Sequence, residues 1–131
     1  VLRRVILDTN VFIAAAFRPA SASGRLVEAV RQGELRLVWD EPTRTETRRL
    51  MEKIPPIDWG AVAPLFQEEG KMTGELPDPA SFEGVSDPED RKFAALAAAT
   101  GTTLVTLDRH LLEGGLEGEV NVVTPTGWWE G

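Results

Sequence analysis

Two short apolar runs in this 131-residue chain end in aspartate: Val5-Ile6-Leu7-Asp8 near the start and Leu104-Val105-Thr106-Leu107-Asp108 near the end. Runs of this length, rich in β-branched residues, suit strands buried on both faces of a parallel sheet, and such sheets bind ligands beyond the carboxyl ends of their strands. Asp8 and Asp108 are therefore expected at one edge, although each alone is also a residue type that commonly begins a turn. Asp90 shares a helical face with Ala94 and Ala97, the small apolar side that packs on a sheet, rather than the side carrying Arg91. Asp87 lies close to that side, but for Asp87 and Glu89 the ordinary role of negative charge at a helix N-terminus is preferred. Glu46 has Leu50 four residues on as an inward anchor, with Arg49 and Lys53 flanking it. Thr43 with Glu46 also fits a capping box, with Asp40 and Glu41 as nearby competitors. The two cations suit either a phosphate contact or a solvated helix face.

Carboxylates brought together repel one another and shift toward protonation unless a cation shares their site. The chain has no cysteine and one histidine, which excludes thiolate and histidine-built metal clusters and leaves oxygen ligands. One or two Mg²⁺ or Mn²⁺ ions suit such a set; they activate water and stabilise charge on a phosphoryl group, the chemistry of phosphodiester hydrolysis. Asn10 and Thr106, beside the strand-end acids, could orient a ligand or a metal-bound water, or simply form turns.

The elements that must position these residues alternate. After the first strand, Val11 to Phe17 and a segment from Ser23-Gly24 to Gly33 read as two helical pieces. Leu35 to Trp39 reads as a strand, followed by a helix capped by Asp40, with Pro42 in its first turn and running through Lys53. Asp58 or Trp59 to about Glu69 is predicted as a helix despite Pro64, and Gly70 to Val85 as a flexible loop. Ser86-Asp87-Pro88-Glu89 has capping-box form and opens an alanine-rich helix closing at Gly101. Thr103 to Leu107 is a strand, Arg109 to Leu112 a short helix, and Val120 to Val123 a last strand before Pro125. Strands alternating with helices, without hairpin signals, predict one α/β domain over residues 1–131 with a parallel sheet. Trp128 and Trp129 suit either a partner surface or packing of the tail onto the domain.

A formal charge of −7 argues against broad attraction to a phosphate backbone. That argument weakens if the acids are concentrated in a cation-filled site, where two divalent ions would offset all four carboxylates. No apolar run approaches the ~20 residues that span a bilayer, so no membrane association and a cytoplasmic location are expected.

Leu7-Asp8-Thr9-Asn10-Val11 resembles the opening motif of PIN domains, Asp87-Pro88-Glu89-Asp90-Arg91-Lys92-Phe93 their acidic helix start, and Leu104-Val105-Thr106-Leu107-Asp108-Arg109 their strand-end motif. Val122-Val123-Thr124-Pro125 is similar to the last strand of bacterial members that are toxins of toxin–antitoxin pairs. The resemblance implies a three-layer α/β/α sandwich around a parallel sheet and Mg²⁺- or Mn²⁺-dependent cleavage of single-stranded or structured RNA. It also implies frequent homodimers and often an antitoxin partner. By position, Asp8, Glu46, Asp90 and Asp108 match the four family acids. Two departures stand out: His110 replaces an acid common in relatives, and Leu107 a small residue. His110 suits a phosphate or metal-bound water contact, or a plain helix-start role. A receiver domain would need a lysine ending the last strand, and a haloacid-dehalogenase-type phosphotransferase an aspartate in place of Asn10; neither is present. A PIN-fold module that binds RNA or protein without turnover is the main alternative.

Overall fold

The computed structural model describes residues 2–74, 91–113 and 120–131. Strand β1 (Arg3–Leu7) is followed by helices α1 (Thr9–Phe17) and α2 (Ala22–Arg31), then β2 (Leu35–Leu37) and α3 (Glu41–Met51). Next come the single-turn α4 (Trp59–Val62), α5 (Arg91–Thr100), β3 (Leu104–Val105), α6 (Arg109–Glu113), β4 (Val122–Val123) and α7 (Pro125–Glu130). The sheet has the order β2-β1-β3-β4 and is parallel throughout, with Val5 beside Leu37 and Leu7 beside Val105.

Alternation along the strands divides the core into two layers. Val5 and Leu7 of β1 and Val105 of β3 face one way, onto Val11, Phe12, Leu26, Val30 and Trp128 of α1, α2 and α7. Ile6 and Leu104 face the other way, onto Phe93, Leu96 and Ala97 of α5 and Leu111 of α6. Helices thus cover both faces of the sheet, which is why its strands read as unbroken apolar runs. The fold is the expected α/β class with a central parallel sheet.

Local chemistry sets the helix ends. Ser21 caps α2 by accepting from Gly24 N at 3.1 Å, two residues earlier than the predicted start. A side chain at Gly24 would overlap the Pro19 carbonyl, so the turn between α1 and α2 requires glycine there. Gly101, at φ 62°, takes the left-handed conformation that ends α5.

Two expectations are corrected. The helix read from Trp59 to Glu69 stops at Val62, continues as a 3-10 turn over Ala63–Leu65 and, after Gln67, forms another over Glu68–Gly70. Pro64 lacks an N–H and crowds the preceding turn, so an α-helix cannot run through it. Lys71, assigned to the loop, instead pairs in parallel with Trp39 beyond the end of β2. The last strand ends before Pro125 as expected, and that proline opens α7, a helix the sequence did not predict, capped by the Thr124 hydroxyl, which accepts from Gly127 N at 2.9 Å. That helix packs the tail on the domain: Trp128 is buried beneath the Arg3 guanidinium, 4.2 Å from its ring, and Trp129 Nε1 donates to Ala22 O at 3.1 Å. The predicted cap at Ser86 and most of the Gly70 to Val85 loop lie outside the described residues. Among the described residues, no helix is long and apolar enough to cross a membrane.

Candidate functional site

Asp8 follows β1 directly and caps α1, its Oδ1 accepting from Thr9 N at 2.7 Å. Its Oδ2 accepts from the Thr106 hydroxyl at 2.7 Å and from Asn10 Nδ2 at 3.3 Å. Thr106 follows β3, the neighbour of β1, so the parallel register brings the two residues to the same edge. A threonine hydroxyl has one proton to give and two lone pairs to accept with. Having donated to Asp8, the Thr106 Oγ1 accepts from Asp108 N at 3.0 Å. Thr106 is thereby the link between the two strand-end aspartates. Asn10 braces the same turn, its Oδ1 accepting from Leu107 N at 3.1 Å. Asn10 and Thr106 therefore act on the acids themselves and not only as turn formers.

Asp108 is half-buried, and its Oδ1 accepts from His110 N at 2.8 Å at the start of α6. His110 is exposed, and its part in the turn is this backbone bond. Leu107, between the two site residues Thr106 and Asp108, is 47% exposed.

Glu46 lies on the inward side of α3 and is 4% exposed. The capping box of α3 is formed by Asp40 and Thr43, each side chain bonded to the other's backbone N–H, so Glu46 has no capping role. Leu50, expected as the inward anchor, is only half-buried; Met51 and Thr47 are fully buried in its place. Arg49 pairs with Glu46 at 2.7 Å and Lys92, on α5, approaches it at 3.8 Å. Lys53 sits exposed past the end of α3 and makes no ion pair with a described residue. The Thr9 and Thr47 hydroxyls, 2.9 Å apart and buried, tie α1 to α3 and so link the residue after Asp8 to the residue after Glu46. The sequence reading missed both this pair and Lys92. A hydroxyl adjacent to each acid was the available signal for the first, and the basic pair Arg91-Lys92 after Asp90 for the second.

Asp8 is 3% exposed and makes no ion pair with a described residue. Its carboxyl is pushed up to about 6, chiefly by burial; the hydrogen bonds from Thr106 and Thr9 oppose the rise, and the charges of Asp108 and Glu46 add to it. The three acids therefore share an electrostatic field. Among the described residues no group of three or more acids or histidines lies close enough to hold a metal ion; Asp87 and Asp90 lie outside the described residues. The buried Asp8 carboxylate, which makes no ion pair with a described residue, is nevertheless a hard oxygen donor of the kind that a divalent cation takes.

A family model described as PIN domain matches residues 4–110. The crystal structure of PAE2754 from Pyrobaculum aerophilum is similar in fold, with a TM-score of 0.53 at 19% identity, covering 93% of this chain and 84% of that one. Comparison with curated proteins gives no match.

Proposed function

We propose, from the premise that this chain belongs to the PIN-domain family, that it is a metal-dependent ribonuclease whose acids are Asp8, Glu46, Asp90 and Asp108. The family's fold is of the nuclease type. The observation that carries the proposal is the Thr106 hydroxyl, which donates to the Asp8 carboxylate and accepts from the backbone N–H of Asp108, so that the two strand-end aspartates are tied together at one sheet edge. Asp90 enters by its match to the family motif.

Mg²⁺ or Mn²⁺, when bound, supplies an activated water and offsets charge on the scissile phosphate. The chain's own contribution is orientation. Thr106 and Asn10 fix the Asp8 carboxylate, Asp108 is held through its backbone, and the Thr9–Thr47 pair sets α3, and with it Glu46, against α1. His110 is exposed at the start of α6, beside Asp108, where it can meet a phosphate. The resemblance of the closing strand extends the proposal to a toxin that acts as a homodimer and is held by an antitoxin.

Glu46 already has cation partners, which favours a second reading: a PIN module that binds RNA or protein without turnover. Incubation with single-stranded RNA separates the two. The expected result is cleavage with Mn²⁺ or Mg²⁺, none in EDTA, and loss in Asp8→Asn and Asp90→Asn. Equal behaviour of wild type and variants in a nuclease-free preparation would remove the enzyme and leave the binding module.

A further inference from the structure

The last turn of α1 sets a protruding aromatic beside an open hole. Phe17, the final residue of that helix, is 56% exposed, more than any other large apolar side chain among the described residues. Its neighbours in the chain behave differently. Ala15 and Ala16 before it and Pro19 after it line an open groove of about 530 Å³ between α1, α2 and the segment that enters α4. The floor of the groove is apolar, made by the buried Phe12, Val27 and Val62. Phe17 and Arg18, between those lining residues, are exposed and form no part of its walls. The turn that carries them passes so close to α2 that a side chain at Gly24 would overlap the Pro19 carbonyl, and this contact holds the pair beside the groove.

A solitary exposed apolar residue is ordinary and needs no partner. An aromatic next to an apolar hole is a different case, because a two-fold axis turns such a neighbouring pair into two identical contacts. Charge follows the same rule. Arg18 is exposed and makes no ion pair with a described residue. Asp58, which lines the groove, caps α4 through Oδ1, accepting from Gly60 N at 2.9 Å, and it too makes no ion pair with a described residue. We infer that this face joins two copies of the chain, the Phe17 of each seated in the groove of the other and Arg18 meeting Asp58 across the axis. Aromatic and arginine side chains in apolar pockets are the residues that carry most of the binding at interface centres. The homodimer proposed above, on which this inference rests, thereby gains a surface, and the chemistry of the acids does not enter it. Asp8 caps the opposite end of α1, roughly 13 Å from Phe17 at the helical rise per residue, so the contact is centred away from the acids.

Sedimentation of the full chain over a wide range of concentration tests the contact, since the mass of a reversible dimer depends on concentration. Wild type sediments as a dimer. Phe17→Ser, which removes the aromatic from both halves at once, weakens the dimer roughly a hundredfold. Ala61→Arg, which fills the groove from its exposed rim, has the same effect. Both positions are exposed, so neither variant disturbs the core, and unchanged melting of the monomers verifies this. Arg18→Glu weakens association roughly tenfold by setting like charges against each other. Adding Asp58→Asn, which removes the charge and keeps a good cap for α4, recovers part of that loss, a coupling expected only of residues that meet across the interface.

A wild type that stays monomeric would overturn the inference and leave the groove to a segment of another protein. A dimer unmoved by Phe17→Ser and Ala61→Arg would overturn it as well, by placing the contact on another face. The nuclease reading is judged separately. A wild-type dimer that does not cleave RNA in Mn²⁺ ends that reading and keeps the interface, while a monomer that cleaves does the reverse.

Discussion

At the scale of the residue, Asp8 is maintained against its own stability. An ordinary aspartate ionises near 3.8, and in the folded chain burial pushes this one to about 6. Below pH 3.8 the carboxyl is protonated folded or unfolded and contributes nothing. Between these values the folded state holds the extra proton, so stability falls as pH rises, and above about 6 the full penalty is present. The difference corresponds to something on the order of 3 kcal/mol. Asp8→Asn removes the charge while keeping an acceptor for Thr9 N. Calorimetric melting in EDTA should therefore find the variant more stable than wild type at pH 7 to 8, with the gap closing as pH falls toward 4. Mn²⁺ at neutral pH should raise the melting temperature of wild type and leave the variant nearly unmoved. A gap between variant and wild type in EDTA that does not change between pH 4 and pH 8 would show that burial does not strain this acid.

At the scale of the element, α3 illustrates what could and could not be read from the chain. Its existence, its start after Asp40 and the place of Pro42 were legible, because cap and proline signals are local. Glu46 stayed ambiguous because Thr43 could serve either as the first residue of a box with Glu46 or as the partner of Asp40. Only the backbone decides between them, and it places Asp40 extended at φ −140° and ψ 174°. The first strand and Asp8 were legible for a different reason, since burial on both faces leaves a composition that few other environments tolerate. The short α7 was not: six residues including proline, glycine and two tryptophans carry no helical period, and the Thr124 cap together with packing on α2 and β4 makes them a helix. The cap of α3 is also incompletely satisfied. Asp40 Oδ1 accepts from Thr43 N at 3.0 Å, but Oδ2 is buried with no hydrogen-bond partner among the described residues. Serine would supply the one useful acceptor and discard the orphan, so urea denaturation should find Asp40→Ser more stable than wild type by about 1 kcal/mol. Asp40→Ala, which loses cap and orphan together, should lie near wild type. Serine and alanine variants that are both clearly less stable than wild type would mean that Oδ2 holds a partner such as a water or a cation.

At the scale of the whole molecule, an acidic chain proposed to act on a polyanion must grip it in few places. A protein that spreads lysine and arginine along a single strand releases a counter-ion at every phosphate it meets, and the logarithm of its affinity falls with the logarithm of salt by about 0.7 per contact. Among the described residues, Arg49 and Lys92 pair with Glu46 at the site, in a chain whose net charge is −7. Two phosphate contacts would give a slope of about −1.4 in KCl at fixed Ca²⁺. Long-range steering should be equally slight, so the association rate should respond weakly to salt. Affinity in EDTA should then collapse, since without a divalent ion the edge holding Asp8 and Asp108 repels the strand. Anisotropy titrations of a short single-stranded RNA across a KCl series, with Ca²⁺ and with EDTA, measure both quantities. A slope steeper than about −4 would reveal five or more phosphate contacts, and undiminished binding in EDTA would locate the RNA away from the acids. Either result would separate the RNA-binding surface from the strand-end edge and leave the carboxylates without a substrate.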